Sequence, residues 1–230
     1  MNTPGDHELE TRLERSWRTN AAAWSRAVRE QRIASRRAGS DAAIVDAVLA
    51  TQARRVLDLG CGEGWLARAL AARGCEVVGV DGSPELIAAA NELGGARFER
   101  ASYAELAARA AGFGRFDAVA CNFALLGADL GEPLRAAHAL LHAAGCLLVQ
   151  TVHPWTACGE EAYADGWRNE TFAAFGGEFR APMPWYFRTL GSWADAIGAA
   201  GFRVARWIEP LDRASGRPLS LLIEAAPTAR

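Results

Sequence analysis

The sequence predicts an α/β protein with a doubly wound, mostly parallel sheet covered by helices on both faces. Three observations support this. An apolar strand, residues 55–59, runs into glycines at 60, 62 and 64 and then into a helical pattern. A second strand, residues 76–81, ends in an acid. Strand–helix units with short connections then repeat as far as residue 152, the alternation that builds a sheet with crossover helices on both faces.

The 230 residues suffice for one domain carrying a lid. Residues 1–40 are expected to form an N-terminal helical cap. From Leu9 to Arg37 the apolar residues Leu9, Leu13, Trp17, Ala21, Trp24 and Val28 recur at three- and four-residue steps, one face of a helix. Its two tryptophans either roof a ligand site or dock the helix on the core, docking being the simpler alternative. Residues 41–152 form the predicted core, opening with a helix over 41–49 that Asp41 would cap. Strand 55–59 and helix 63–73 follow, and Gly74 suits the left-handed residue beyond a helix end. After strand 76–81, Ser83-Pro84 supplies an N-cap and a first-turn proline for a helix over 84–93. A strand over 96–100, a helix near 104–111, a strand over 116–122, a helix near 132–142 and a strand over 145–152 complete this core.

Residues 153–190 break the alternation and are rich in aromatics, Gly and Pro, which suits a substrate lid. Residues 191–230 complete the core with a helix over 192–200, ended by Gly201, and strands over 203–208 and 220–225. The pattern alone leaves open whether those last two strands pair antiparallel.

Glycine spacing discriminates among ligands. Dinucleotide folds want Gly-x-Gly-x-x-Gly, whose third glycine allows close helix–strand packing; here position 65 is Trp. A phosphate loop wants Gly-Lys-Ser/Thr, yet all 25 cationic residues are arginine. The run Asp58-Leu59-Gly60-Cys61-Gly62-Glu63-Gly64 instead resembles motif I of class I S-adenosylmethionine (SAM) methyltransferases. The resemblance extends over roughly residues 36–226 and is closest over 54–85. It implies a Rossmann-like, seven-stranded sheet with the last strand inserted antiparallel, and SAM as cofactor. It places Asp58, Gly60 and Gly62 against the methionine part, and the ribose hydroxyls on Asp81, with Gly82 and Ser83 beside it.

Beyond strand 3 the family reads adenine with an acid-containing loop. Ser102 stands where Asp is commonest and either accepts from the exocyclic amine or caps the next helix. Tyr103 would offer its backbone N–H. By position, Asn122 and Phe123 would flank the sulfonium and amino end, although Asn122 also suits a strand terminus. Arg36 and Arg37 lie at a distance before motif I where some relatives carry a cation for the SAM carboxylate. A guanidinium matches a carboxylate bidentately, and solvated surface arginines are the alternative for both.

Methyl transfer from a sulfonium is an in-line displacement in which the enzyme chiefly aligns the partners and excludes water. A base is needed only where the acceptor must lose a proton. His153, followed by Pro154 at the end of strand 5, is the base candidate, and a backbone-bonded strand-end histidine is the alternative. Tyr186-Phe187-Arg188-Thr189-Leu190 resembles a Tyr-x-Arg-Thr-Leu segment of ubiquinone- and natural-product-type methyltransferases. Tyr186 or Arg188 would then orient an acceptor oxygen or carboxylate. The many lid aromatics suit an apolar or aromatic small molecule, or a lid with its own small core.

Composition narrows the partners. With a net charge of −2 and no basic stripe, nucleic acid is disfavoured as a substrate. No run of about 18 apolar residues predicts a membrane span, and residues 1–14 carry no apolar signal core. The five scattered cysteines read as small buried hydrophobes in a reducing cytoplasm, neither disulfides nor a metal site. The expected function is SAM-dependent methylation of a small molecule, oxygen being the favoured atom. An N- or C-methyltransferase of the same fold, a SAM-binding module without catalysis and a homodimer stay open.

Overall fold

The computed structural model describes residues 5–175 and 178–228. Its strands are β1 (Arg55–Leu59), β2 (Glu76–Asp81), β3 (Arg97–Arg100), β4 (Phe116–Asn122), β5 (Leu141–Thr151), β6 (Gly166–Glu170), β7 (Met183–Phe187), β8 (Phe202–Ile208) and β9 (Leu221–Pro227). The helices are α1 (Asp6–Arg29), α2 (Asp41–Ala50), α3 (Trp65–Ala71), α4 (Pro84–Leu93), α5 (Tyr103–Ala108), α6 (Ala110–Phe113), α7 (Gly131–Leu140), α8 (Pro154–Cys158) and α9 (Leu190–Ala199). Seven strands form one sheet in the order β3-β2-β1-β4-β5-β9-β8. The first five are parallel, and β9 runs antiparallel between β5 and β8. The predicted fold class is therefore the observed one.

Strand alternation divides the core into two layers. Leu57, Leu59, Val119, Cys121, Leu147 and Val149 face the layer holding α5, α7 and α9. Val56, Ala118, Ala120 and Leu148 face the layer holding α2, α3 and α4. Burying both faces explains why these strands read as near-continuous apolar runs. All the parallel strands send their carboxyl ends to one edge, where the loops after β1, β2, β4 and β5 converge.

Several element limits differ from expectation for identifiable reasons. The first helix stops at Arg29, not Arg37, where Gln31 takes φ 53°. A wide π-type turn over Arg36–Ser40, containing Gly39 at φ 141°, leads into α2. Asp41 does not cap α2; its carboxylate instead accepts from Arg36 Nε at 2.8 Å. Helix α3 begins at Trp65 because Gly64 is left-handed, φ 85°. The cap at Ser83 is as predicted, its Oγ accepting from Leu86 N at 3.2 Å. In the lid, β6 and β7 pair antiparallel in a sheet of their own, which the sequence pattern did not predict.

Candidate cofactor and acceptor site

The motif I loop is sewn onto β2. Gly60 and Cys61 donate their N–H groups to Val80 O at 2.8 and 3.0 Å. Gly62 N donates to Asp81 Oδ2 at 2.9 Å, and Ser83 N to Asp81 Oδ1 at 2.8 Å. Each glycine has a separate reason to be glycine, beyond a positive φ at all three positions. A Cβ on Gly60 would lie 2.3 Å from Ala124 Cβ, and one on Gly64 would lie 2.5 Å from the Phe98 ring. One on Gly62 would meet only Trp24 Nε1, at 4.0 Å, so this glycine faces open space. Gly82 is exposed with nothing near its Cβ position.

Asp58 is buried under the loop, where Ala67 N donates to its Oδ2 at 3.2 Å. Burial pushes its carboxyl up to about 7 against that hydrogen bond, with Asp81 and Glu63 adding like charge. Asp81 is likewise raised by burial, while the N–H groups of Ser83 and Gly62 pull it back. Glu63, an unspecified position of the motif, was missed by sequence reasoning. It is 1% exposed, 2.6 Å from Arg68 Nη2 and 3.6 Å from Arg29 Nε, so it ties the loop to α3 and α1. No spacing rule signals a partner 34 residues upstream.

The remaining predicted residues divide. Ser102 forms a capping box with Glu105, its Oγ accepting from Glu105 N at 3.2 Å, which supports the capping alternative. Ser83 likewise serves α4. Tyr103 contributes more than backbone: its buried hydroxyl lies beside Gly60 and donates to Ala124 O at 3.3 Å, and burial raises its pKa. Asn122 ends β4 with Oδ1 buried and unpartnered among the described residues. Phe123 takes φ 52° and donates its N–H to Gln150 O at 2.7 Å. Arg36 lies with its guanidinium 4.3 Å over the Trp65 ring, next to motif I. Arg37 is exposed and donates to Gln31 O, which suits the solvated alternative for this residue.

On the acceptor side, His153 is buried with Nε2 2.7 Å from Glu209 Oε1. Tyr186 N donates to Leu126 O at 2.8 Å, and its ring stands edge-on to Trp167 at 5.5 Å. Arg188 is 5% exposed and donates Nη2 to Gly127 O at 2.7 Å and to Ala128 O at 2.5 Å. Burial lowers its pKa. Glu10 of α1 accepts from Ala128 N, so the loop after β4 is held from two sides. Arg188 thus clamps that loop through Nη2. A 510 Å³ cleft beside it, lined by Asp129, Arg135, Asp165, Tyr186 and Ser192, includes no motif I residue.

The lid aromatics mostly pack on each other and on α1. Phe172 and Phe179 stack at 4.3 Å, and Trp17, Trp24, Phe175 and Trp185 join them. Trp155 is 71% exposed. Trp24, packed in this cluster, also lies beside Gly62.

Comparison with known proteins agrees with this geometry. Residues 56–145 match the family model described as a methyltransferase domain. Trans-aconitate 2-methyltransferase of Mycobacterium tuberculosis is 51% identical over 53 residues, which are 22% of this chain and 20% of that protein. The match to this curated relative therefore spans about a fifth of its length. A Burkholderia thailandensis 1,6-didemethyltoxoflavin-N1-methyltransferase, solved with 1,6-didemethyltoxoflavin and S-adenosylhomocysteine, superposes with a TM-score of 0.66 at 23% identity, covering 100% of this chain and 93% of that one. The magnesium protoporphyrin IX methyltransferase of Synechocystis PCC 6803, solved with SAM, gives 0.66 at 18% identity, covering 99% and 100%. Residues 56–145 thus match a methyltransferase-domain model in sequence, and the seven-stranded sheet has the fold of these SAM- and S-adenosylhomocysteine-bound methyltransferase structures.

Proposed function

We propose that this protein transfers a methyl group from SAM to a small molecule. The cradle formed by Gly62 and Asp81 is the observation that carries this reading. Gly62 faces open space where a side chain would intrude, and each Asp81 oxygen receives one backbone N–H, leaving a lone pair for a ribose hydroxyl. Neutral hydroxyl donors suit a carboxylate that has no ion-pair partner among the described residues, whereas a pyrophosphate would meet the like charge of Asp58 and Asp81. Asn122 Oδ1, buried and unpartnered, suits the cofactor's ammonium, and Arg36 beside Trp65 suits its carboxylate once released from Asp41.

The bound cofactor would supply an electrophilic methyl that needs no further activation. The chain's own residues then hold the acceptor in line and exclude water, the roof being Trp24 and the lid aromatics. The aromatic lid and the residues at the end of β5 favour a small aromatic or apolar acceptor, methylated at oxygen or nitrogen. Calorimetry with S-adenosylhomocysteine should show binding that Asp81→Ala weakens by at least about tenfold. Unchanged affinity would remove Asp81 from the site. Release of S-adenosylhomocysteine from SAM with a panel of phenols, alcohols and amines tests catalysis, and binding without turnover across that panel would count against the enzyme.

A further inference from the structure

We propose that Glu209 sets His153 as a general base, and that the acceptor presents a protonated nucleophile, a hydroxyl or an N–H, rather than a carboxylate. The proposal rests on the methyltransferase reading above and deepens it to a substrate class.

His153 follows β5 at the edge where the cofactor loop lies, and Pro154 starts α8 immediately after it. The ring is only 4% exposed. Glu209 is 56 residues away in sequence, directly after β8, and its Oε1 is 2.7 Å from His153 Nε2. The segment bearing Glu209 is anchored on both sides of the contact. Leu219 N donates to Pro210 O at 2.7 Å, and Thr156 Oγ1 of α8 donates to Pro218 O at 2.9 Å. The β8–β9 connection is therefore pinned to the helix that follows His153.

A carboxylate only accepts hydrogen bonds, so the nitrogen facing Glu209 must carry the proton. The neutral ring then has its lone pair on Nδ1. That atom is buried and has no hydrogen-bond partner among the described residues. A buried unpaired polar atom costs stability, so Nδ1 is a place where a donor from a bound acceptor would be favoured. Here one nitrogen is fixed by a charge and the other is left free to accept.

This arrangement matters only for some acceptors. A carboxylate is already ionised near neutral pH and needs no base, whereas a hydroxyl or N–H must shed its proton as it gains the methyl group. As the acceptor heteroatom bonds the methyl carbon, the methyl–sulfur bond breaks and its electron pair stays on sulfur. The acceptor's proton passes to His153 Nδ1, Glu209 stabilises the imidazolium so formed, and the proton leaves to solvent. Glu209 touches no reacting atom in this scheme and is a positioning residue.

Two measurements test the proposal. Nitrogen-15 NMR of the full chain without ligand reads which ring nitrogen of His153 carries the proton. The Nε2–H tautomer is expected in the wild type, with that bias lost in Glu209→Ala; an Nδ1–H tautomer in the wild type overturns the proposal. With an acceptor that turns over, Glu209→Ala should lower kcat about 100-fold with KM for SAM unchanged. Glu209→Gln, whose amide oxygen still accepts from Nε2–H, should recover part of that loss. The double variant with His153→Ala should be no slower than His153→Ala alone. Full activity in Glu209→Ala, or turnover confined to carboxylate acceptors, overturns it. Absence of S-adenosylhomocysteine binding in the wild type would instead remove the methyltransferase reading and leave the tautomer result standing.

Discussion

Asp58 and Gly62 show how single residues in the motif divide between stability and binding. Asp58 has an ordinary carboxyl value of 3.8 and is raised to about 7 in the fold. Between those values the native state holds a proton that the unfolded chain has released. Its contribution to stability is therefore complete below about pH 4 and is lost as pH rises through about 7. Asp58→Asn removes the titration, so the wild-type unfolding free energy should fall relative to the variant between about pH 4 and pH 7, by up to about 1.4 kcal/mol per pH unit, and level off above that. Parallel pH curves would sink that assignment. The glycines separate the two roles more directly. Gly64→Ala drives a methyl into the Phe98 ring and should cost about 1–3 kcal/mol in denaturant titrations. Gly62→Ala has room and should cost only backbone strain, about 1 kcal/mol, while weakening S-adenosylhomocysteine binding in calorimetry. Equal stability losses with undiminished binding would mean that Gly62 does not face the ligand. The spacing of Gly60, Gly62, Gly64 and Asp81 was legible in the sequence because neighbours in the chain impose it. Glu63 with Arg29, and His153 with Glu209, were not, because each pair is assembled only by the fold.

Among the elements, α1 acts as a clasp on the lid. Asn20, 2% exposed, donates Nδ2 to Ala181 O at 2.7 Å, and its Oδ1 accepts from Arg180 N at 2.9 Å. Ser16 Oγ donates to the same carbonyl at 3.3 Å. Asn20→Ala strands those backbone groups at a cost of about 1–3 kcal/mol. Hydrogen exchange should accelerate at the amides of residues 180 and 181 while β1 and β4 stay protected; unchanged exchange at 180 and 181 would show that the lid holds without the clasp. Periodicity read the elements of the main sheet well, since β1, β2 and β4 have the predicted limits. It failed for β6 and β7. Each is five residues long, Pro184 interrupts the second, and their burial does not alternate, so neither shows a strand period. The helix end at Arg29 was equally hidden, because the break comes from Gln31 rather than from a glycine or proline.

At the level of the whole molecule, one sheet edge gathers the glycine loop, Asp81, Asn122 and His153, while α1 packs against the aromatics of residues 172–185. Alternating strands and helices made the parallel half predictable, but no local pattern says which slot a final strand will fill. That slot has a consequence for how the chain is made. Strand β9 lies between β5 and β8, so β8 reaches the sheet only through a strand that follows it in sequence. During synthesis the backbone edge of β5 over residues 147–151 has no β9 to pair with until residues 221–225 have left the ribosome. Such an edge is a template for wrong pairing. Strand β9 is thus the keystone of the sheet, and a chain stalled before residue 221 would leave that edge of β5 uncovered.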